Sequence, residues 1–283
     1  MARADLTGRL CVVTGANRGI GRATAEGLAR LGAGLVLICR RNEDGQTVAR
    51  EIGRRGGPVP EVVEADLSSQ AAIRRAAAEI HSRHPRVNVL INNAGIIPQH
   101  REVTVDGLEL QFAVNHLAYF LLTSLLLPQL RAGAPARVVN VSSGAHEHAR
   151  LDFDDLQSER RYEPQEVYSR TKLANILFTY ELARRIEPRE VTANCLTPGV
   201  VATRMLRDYL GQPAGGGSDS TFGASPEQGA ETSIYLAASL EVAGVTGKYF
   251  YRKKPVRSSR ESYDEAAARR LWELSERLTG LST

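Results

Sequence analysis

Short apolar runs alternate along the chain with stretches in which apolar residues recur every three or four positions. Runs at 10–14, 35–39, 59–64, 87–92, 138–141 and 191–196 are apolar and short, and predict strands. Segments 20–31, 43–52, 69–84, 108–130 and 167–186 carry their apolar residues at helical spacing and predict helices. Strands that read as unbroken apolar runs are buried on both faces, and their alternation with helices indicates a parallel sheet. The pattern predicts a single doubly wound α/β domain over residues 1–283, with about seven parallel strands and helices on both faces. Ligands of such a sheet bind outside the carboxyl ends of its strands.

Beyond 196 the pattern loosens. Residues 211–223 are rich in Gly and Ser and have no period. Too little chain follows to form a second domain, so a mobile substrate lid over about 204–224 is expected rather than a linker. Ser225, Pro226 and Gln228 are a helix start, with the serine as cap, the proline at the first position and the glutamine at the third. A short strand near Tyr249 and an amphipathic tail helix at about 264–279 close the chain.

Composition narrows the class. The chain has 283 residues and a net charge of +4. Its arginines are scattered among acids rather than collected in a block, so nucleic acid is not the expected partner. Cys11, Cys39 and Cys195 lie singly inside predicted strands, without metal spacing, and read as buried apolar residues. No metal site is expected. Residues 1–9 are polar and the longest apolar run, 117–127, is short for a bilayer. These features predict a cytoplasmic protein without a membrane anchor.

The first strand runs into Thr14-Gly15-Ala16-Asn17-Arg18-Gly19-Ile20-Gly21 and then a helix. Glycines there admit a pyrophosphate close to the backbone, and the helix N-terminus supplies free N–H groups and a positive dipole end. The second strand ends in Arg40 and Arg41, where an NAD site usually carries an acid. Guanidinium groups suit the 2′-phosphate of NADP(H), and Arg18 is near enough to assist.

Tyr168 and Lys172 stand four apart at the start of a helix and share one face. An ammonium beside a phenol favours its ionised form, so that tyrosine could exchange a proton with a carbonyl or alcohol oxygen. Ser142 and Ser143 end the fifth strand, either one placed to hold a substrate oxygen. Asn115 lies in a strongly apolar helix, where a buried amide needs a partner. His146 and His148 follow the serines and are candidates for the pocket wall. Trp272 and Leu271 form an apolar stripe on the tail, which either packs on the domain or closes over the substrate.

These motifs together resemble the short-chain dehydrogenase/reductase family over nearly the whole chain. The matching segments are TGANRGIG at 14–21, Asp66, NNAG at 92–95, Asn115, Val-Ser-Ser at 141–143, YSRTK at 168–172 and Pro198-Gly199. A closer similarity is to the retinol dehydrogenase-like branch, through ICRRNE at 38–43, RVVNVSSGAH at 137–146, LDFDDLQSERRY at 151–162 and KLANILFTYELARR at 172–185. The resemblance implies a Rossmann-type fold and an NADP(H)-dependent oxidoreductase acting on a ketone, aldehyde or secondary alcohol, either hydrophobic, aromatic or polyketide-like, or retinoid-like. It implies that Tyr168 is the acid-base and that Lys172 lowers its pKa and holds the nicotinamide ribose. Ser143, favoured over Ser142 by its spacing to Tyr168, would orient the substrate, and Asn115 would hold a relay water. Cofactor contacts are implied at Gly15, Asn17, Arg18, Gly19, Ile20, Gly21, Arg40, Arg41, Asp66, Leu67, Asn93, Ala94, Gly95, Pro198, Gly199, Val201 and Thr203. Helices such as 108–130 and 167–186 often build dimers or tetramers in that family. Two other functions remain open at this point: a catalytically silent NADP(H)-binding sensor or scaffold, and a reductase of a ring double bond.

Overall fold

The computed structural model describes residues 5–210 and 223–281. Its strands are β1 (Leu10–Thr14), β2 (Gly34–Cys39), β3 (Glu61–Glu64), β4 (Val89–Asn92), β5 (Ala136–Val141), β6 (Val191–Thr197), β7 (Tyr249–Tyr251) and β8 (Lys254–Val256). They form one sheet in the order β3-β2-β1-β4-β5-β6-β7-β8. The chain winds outward from β1 to β3, crosses back, and winds outward again from β4. The crossing opens the carboxyl edge between β1 and β4, where such sheets take their ligands.

Helices α1 (Gly19–Ala29) and α2 (Asn42–Arg54) connect the first three strands, and α3 (Gln70–Arg83) makes the crossing. Next come α4 (Leu110–Phe112), a π-helical turn (Ala113–Leu117), α5 (Ala118–Ala132), α6 (Pro164–Arg185) and the short α7 (Arg204–Tyr209). Helices α8 (Pro226–Ala238) and α9 (Glu265–Thr279) complete the chain. One core layer lies between the sheet and α1 and α8, built from Cys11, Val13, Leu37 and Ile91 of the strands with Leu28 and Leu236. The other holds Val12, Leu90 and Val138 against Ile73, Leu122 and Phe178 of α3, α5 and α6. Alternate strand residues thus enter opposite layers, which is why the strands are apolar throughout. All three cysteines are buried and unpaired.

The expected elements are present with shifted ends, and the sheet has eight strands rather than about seven. The additional one, β8, runs antiparallel to β7. Its turn residues are Arg252 and Lys253, with φ of 48° and 64°. A two-residue hairpin normally draws Asn or Gly for such angles, so nothing in the sequence flagged it. Contacts hold the turn instead: Lys253 pairs with Glu231 at 2.6 Å, its N–H donates to Thr232 at 3.2 Å, and Arg252 lies over the Tyr251 ring. The predicted helix at 108–130 begins at Leu110 and is interrupted by the π turn. Residues 110–132 are long and apolar enough to cross a membrane, but 78% of their most apolar window is buried inside the protein. Ser225 and Gln228 form the expected reciprocal cap of α8. Of the lid expected over about 204–224, the first part is α7, and 211–222 lie outside the described residues.

The apolar stripe of α9 packs on the domain and does not close over a pocket. Trp272 meets Phe120 of α5 at 5.0 Å and Phe178 of α6 at 5.9 Å between ring centroids. Leu271 and Ala268 join Leu173 and Leu177 of α6. The end of α9 is tied to α3, where Gln70 donates to the Leu278 carbonyl at 2.7 Å and Arg74 to that of Thr279.

Candidate active site

Thr14 ends β1, and its buried hydroxyl accepts from the N–H groups of Asn93 at 2.9 Å and Ala94 at 3.0 Å. The Asn93 amide returns a bond to the Thr14 carbonyl at 2.9 Å. The end of β4 is thereby laced to the start of the glycine-rich turn. Gly15 has φ of 64°, in the left-handed region. A Cβ on Gly21 would collide with the Gly15 carbonyl oxygen and the Asn93 amide. Helix α1 then starts without a side-chain cap from Arg18 and without an acid in its first turn. By contrast, Ser69, Ser225 and Asp264 cap α3, α8 and α9. An uncapped helix start with its N–H groups toward the switch point suits a pyrophosphate.

At the end of β2, Arg40 is exposed and makes no ion pair among the described residues. Arg41 is engaged: its Nε and Nη2 donate to Asp44 at 3.0 and 2.9 Å. Asn17 also donates to Asp44, at 3.4 Å. Arg41 first, then Asn17 and the charge of Arg18, hold the Asp44 carboxyl below its ordinary range. Sequence reasoning missed Asp44, whose only signal is its place three residues after Arg41 in the first turn of α2. Asp66 is exposed; one of its oxygens accepts from the N–H and hydroxyl of Ser68 at 2.9 and 2.7 Å. The Leu67 side chain is buried in the core, so only its main chain can meet a ligand.

Tyr168 and Lys172 project from the first turns of α6, and both are buried. The Lys172 ammonium donates to the Val141 carbonyl at 3.1 Å and lies 5.4 Å from the centre of the Tyr168 ring. Burial pushes the lysine down to about 7. Burial also pushes Tyr168 up to about 12, opposed by a hydrogen bond with the Ser143 hydroxyl. Removal of both groups from water dominates in this arrangement, and the phenol is not brought below its ordinary range.

The two serines separate clearly. Ser142 is buried and donates to the Lys172 carbonyl at 2.7 Å, joining β5 to α6. Ser143 caps a 3-10 turn (Gly144–His148), its hydroxyl accepting the Ala145 N–H at 3.2 Å, and is near enough to Tyr168 to lower the phenol's pKa in part. Asn115 lies in the π turn, a feature common at functional sites. Its amide accepts from the Ile96 N–H at 2.8 Å and donates to the Ile96 carbonyl at 3.0 Å and to Thr171 at 3.2 Å. That side chain therefore braces the segment after β4 against α6.

A Cβ placed on Gly95 would lie 3.2 Å from Met205 Cε, 3.4 Å from Asn115 Oδ1 and 3.5 Å from Lys172 Nζ. Met205, on α7, also receives the Tyr168 hydroxyl on its sulfur at 3.7 Å. The Tyr209 ring meets that of Tyr168 at 5.8 Å, and Gln165 of α6 donates to the Tyr209 carbonyl at 2.8 Å. Helix α7 thus lies across the site, with Thr203 accepting the Leu206 N–H at its start and its methyl near Gly19. Pro198 and Gly199 follow the end of β6, and Val201 is buried behind them. Met205 and Tyr209 carry no motif that a sequence could reveal. Beneath the site, Asn92 donates to Thr123 and Asn140, and Asn140 to Thr179, at 2.8–3.0 Å. This buried chain ties β4 and β5 to α5 and α6. His146 is wholly buried and does not line the pocket, and His148 is exposed.

Strand order, switch point and uncapped glycine-rich turn are those of a dinucleotide-dependent α/β oxidoreductase. Comparison with known proteins makes the assignment specific. The model of the short chain dehydrogenase family matches residues 9–213, and the chain belongs to that family. It is 44% identical to human retinol dehydrogenase 14 over 97% of this chain and 87% of that protein. It is 43% identical to the mouse protein of the same name, over 97% and 86%. An uncharacterized protein of Mycobacterium paratuberculosis shares its structure with a TM-score of 0.80 at 35% identity, over 98% of this chain and 95% of that one.

Proposed function

We propose that this oxidoreductase is an NADP(H)-dependent carbonyl reductase or alcohol dehydrogenase, with Tyr168 as its acid-base. The observation that carries the reading is the meeting of Tyr168, Ser143 and Lys172 beside Gly95, at the carboxyl edge that also holds the glycine-rich turn. The cofactor, when bound, exchanges a hydride with the substrate carbon. The N–H groups at the start of α1 would hold its pyrophosphate, and Arg40, with Arg18 and Arg41, its 2′-phosphate. Two solved relatives support the phosphate reading, since RhlG of Pseudomonas aeruginosa and a gluconate 5-dehydrogenase of Burkholderia cenocepacia were both solved with NADP.

The Ser143 hydroxyl and the Tyr168 phenol bind the substrate oxygen from two sides. With its pKa pushed up to about 12, Tyr168 keeps its proton at neutral pH and delivers it to a carbonyl oxygen as that oxygen gains charge. The Lys172 ammonium, turned from the Val141 carbonyl toward the ribose, would supply positive charge beside the phenol. Met205 and Tyr209 make the wall facing Tyr168 apolar, which suits a hydrophobic or aromatic carbonyl compound. The names of the retinol dehydrogenase relatives agree with that class, a retinoid-like alcohol or aldehyde included.

The test is a titration with NADPH and NADH, followed by turnover of a panel of ketones, aldehydes and secondary alcohols. Tyr168→Phe should lose turnover by about 10³-fold or more while still binding NADPH. Arg40→Ala should weaken NADPH far more than NADH. Normal turnover in the first variant would remove Tyr168 from its role, and equal weakening in the second would remove the phosphate assignment.

A further inference from the structure

His146 is one of the buried titratable groups that the mechanism above leaves without a task. Both its ring nitrogens are engaged. Nδ1 lies 2.7 Å from the Ser143 carbonyl oxygen, which only accepts, so Nδ1 carries the proton. Nε2 lies 3.1 Å from the Ser259 N–H, which only donates, so Nε2 is bare. The two partners together fix one neutral tautomer. The ring stands edge-on to Tyr249 at 4.9 Å, which sets its plane.

Each end of this link is itself anchored. The Ser143 carbonyl also accepts the His146 N–H at 3.3 Å, and the next N–H, that of Gly144, donates to Thr197 at 3.1 Å. On the other side, Ser262 bonds both the Ser259 carbonyl and the Ser258 hydroxyl at 2.6 Å, and Ser258 reaches the Tyr180 hydroxyl of α6 at 2.8 Å. The segment after β8 is thus a braced support, and His146 is the strut between it and the serine that faces Tyr168.

We propose that His146 is a positioning residue for the reaction: its Nδ1–H fixes the Ser143 main chain, and hence the aim of the Ser143 hydroxyl, with the Ser259 N–H holding the imidazole in the required tautomer. The proposal rests on the role assigned to Ser143 above. Preorganised sites depend on such supports, since a small loosening of a polar group costs rate without costing binding.

The side-chain amide of Asn falls near the Nδ1 position of His, and that of Gln near Nε2. His146→Asn keeps a donor for Ser143 and loses the acceptor for Ser259; His146→Gln does the reverse. Steady-state kinetics with NADPH and the best ketone of the panel should show kcat within about threefold of wild type for Asn and at least about tenfold down for Gln. KM and NADPH affinity should hold in both. The opposite order would make the imidazole an anchor for the tail alone, and equal effects in both variants would give the serine no special dependence on it; either result overturns the proposal. Ser143→Ala, measured in parallel, separates the two levels. Full turnover in that variant overturns the role of Ser143 itself, whereas its loss together with a failed Asn–Gln contrast overturns only the strut. Nitrogen NMR of the unaltered protein is a check that needs no variant: the Nδ1–H tautomer is expected at His146, and the Nε2–H tautomer would overturn the proposal.

Discussion

Lys172 shows how a single residue sets chemistry against stability. Its ammonium is buried and donates to the Val141 carbonyl, and burial pushes its pKa from 10.5 down to about 7. Between those values the unfolded chain binds a proton that the folded chain does not, so this group's contribution to stability rises with pH across the window. Below pH 7 the folded lysine is charged as well, and the full cost is present. Lys172→Met keeps the stem and removes the charge. At pH 7 it should raise unfolding stability by on the order of 2 kcal/mol while turnover is lost. Denaturant melts at pH 7 and pH 10 check this: the gap between variant and wild type should shrink at the higher pH, and a constant gap would argue against a buried, charge-strained lysine. At the same scale, the Tyr-Lys spacing and the arginines after β2 were legible from types and intervals. The partner of Arg41 was not, because an acid three residues along a helix reads as ordinary surface until its neighbours are placed.

Among the elements, α9 has the clearest part. Its apolar stripe was visible as a period, and the structure settles what it covers. Trp272 lies between Phe120 and Phe178, with the Arg185 guanidinium 4.4 Å from its ring centre. Arg185 is in turn aligned by Glu181 at 2.7 Å. Trp272→Ala removes two aromatic contacts and a cation–π contact, and should cost about 3 kcal/mol. A urea melt would show the midpoint falling, and an unchanged midpoint would reduce α9 to a loosely attached tail. The π turn at 113–117 is the opposite case. A helical period predicts a helix through this stretch, but an inserted residue in one turn comes from the clamp of Asn115 on Ile96, a contact between segments nineteen positions apart.

For the whole molecule, the position of α9 bears on assembly. On α5 and α6, the helices for which the family resemblance implied a subunit interface, Phe120 and Phe178 meet Trp272 of α9. A dimer through that part of the two helices would first have to displace α9 and its ties to Gln70 and Arg74. Sedimentation should therefore find no assembly that buries this face. Cross-links between copies through cysteines introduced on α5 or α6 beneath α9 would overturn that expectation.

By itself the sequence determined the sheet's class, the glycine-rich turn after the first strand and the Tyr-Lys pair, because each is a local matter: period of burial, backbone freedom at glycine, spacing on one helix face. The spacing to Tyr168 already favoured Ser143 over Ser142, and the tertiary structure added that Ser142 is spent on the Lys172 carbonyl. Tertiary structure also decided that Asn115 braces Ile96, that Arg252 and Lys253 turn a hairpin, and that Met205 and His146 stand before and behind the reacting groups. These depend on contacts between segments far apart in the chain, where the energy that selects a conformation comes from packing and satisfied polar groups rather than from local preference.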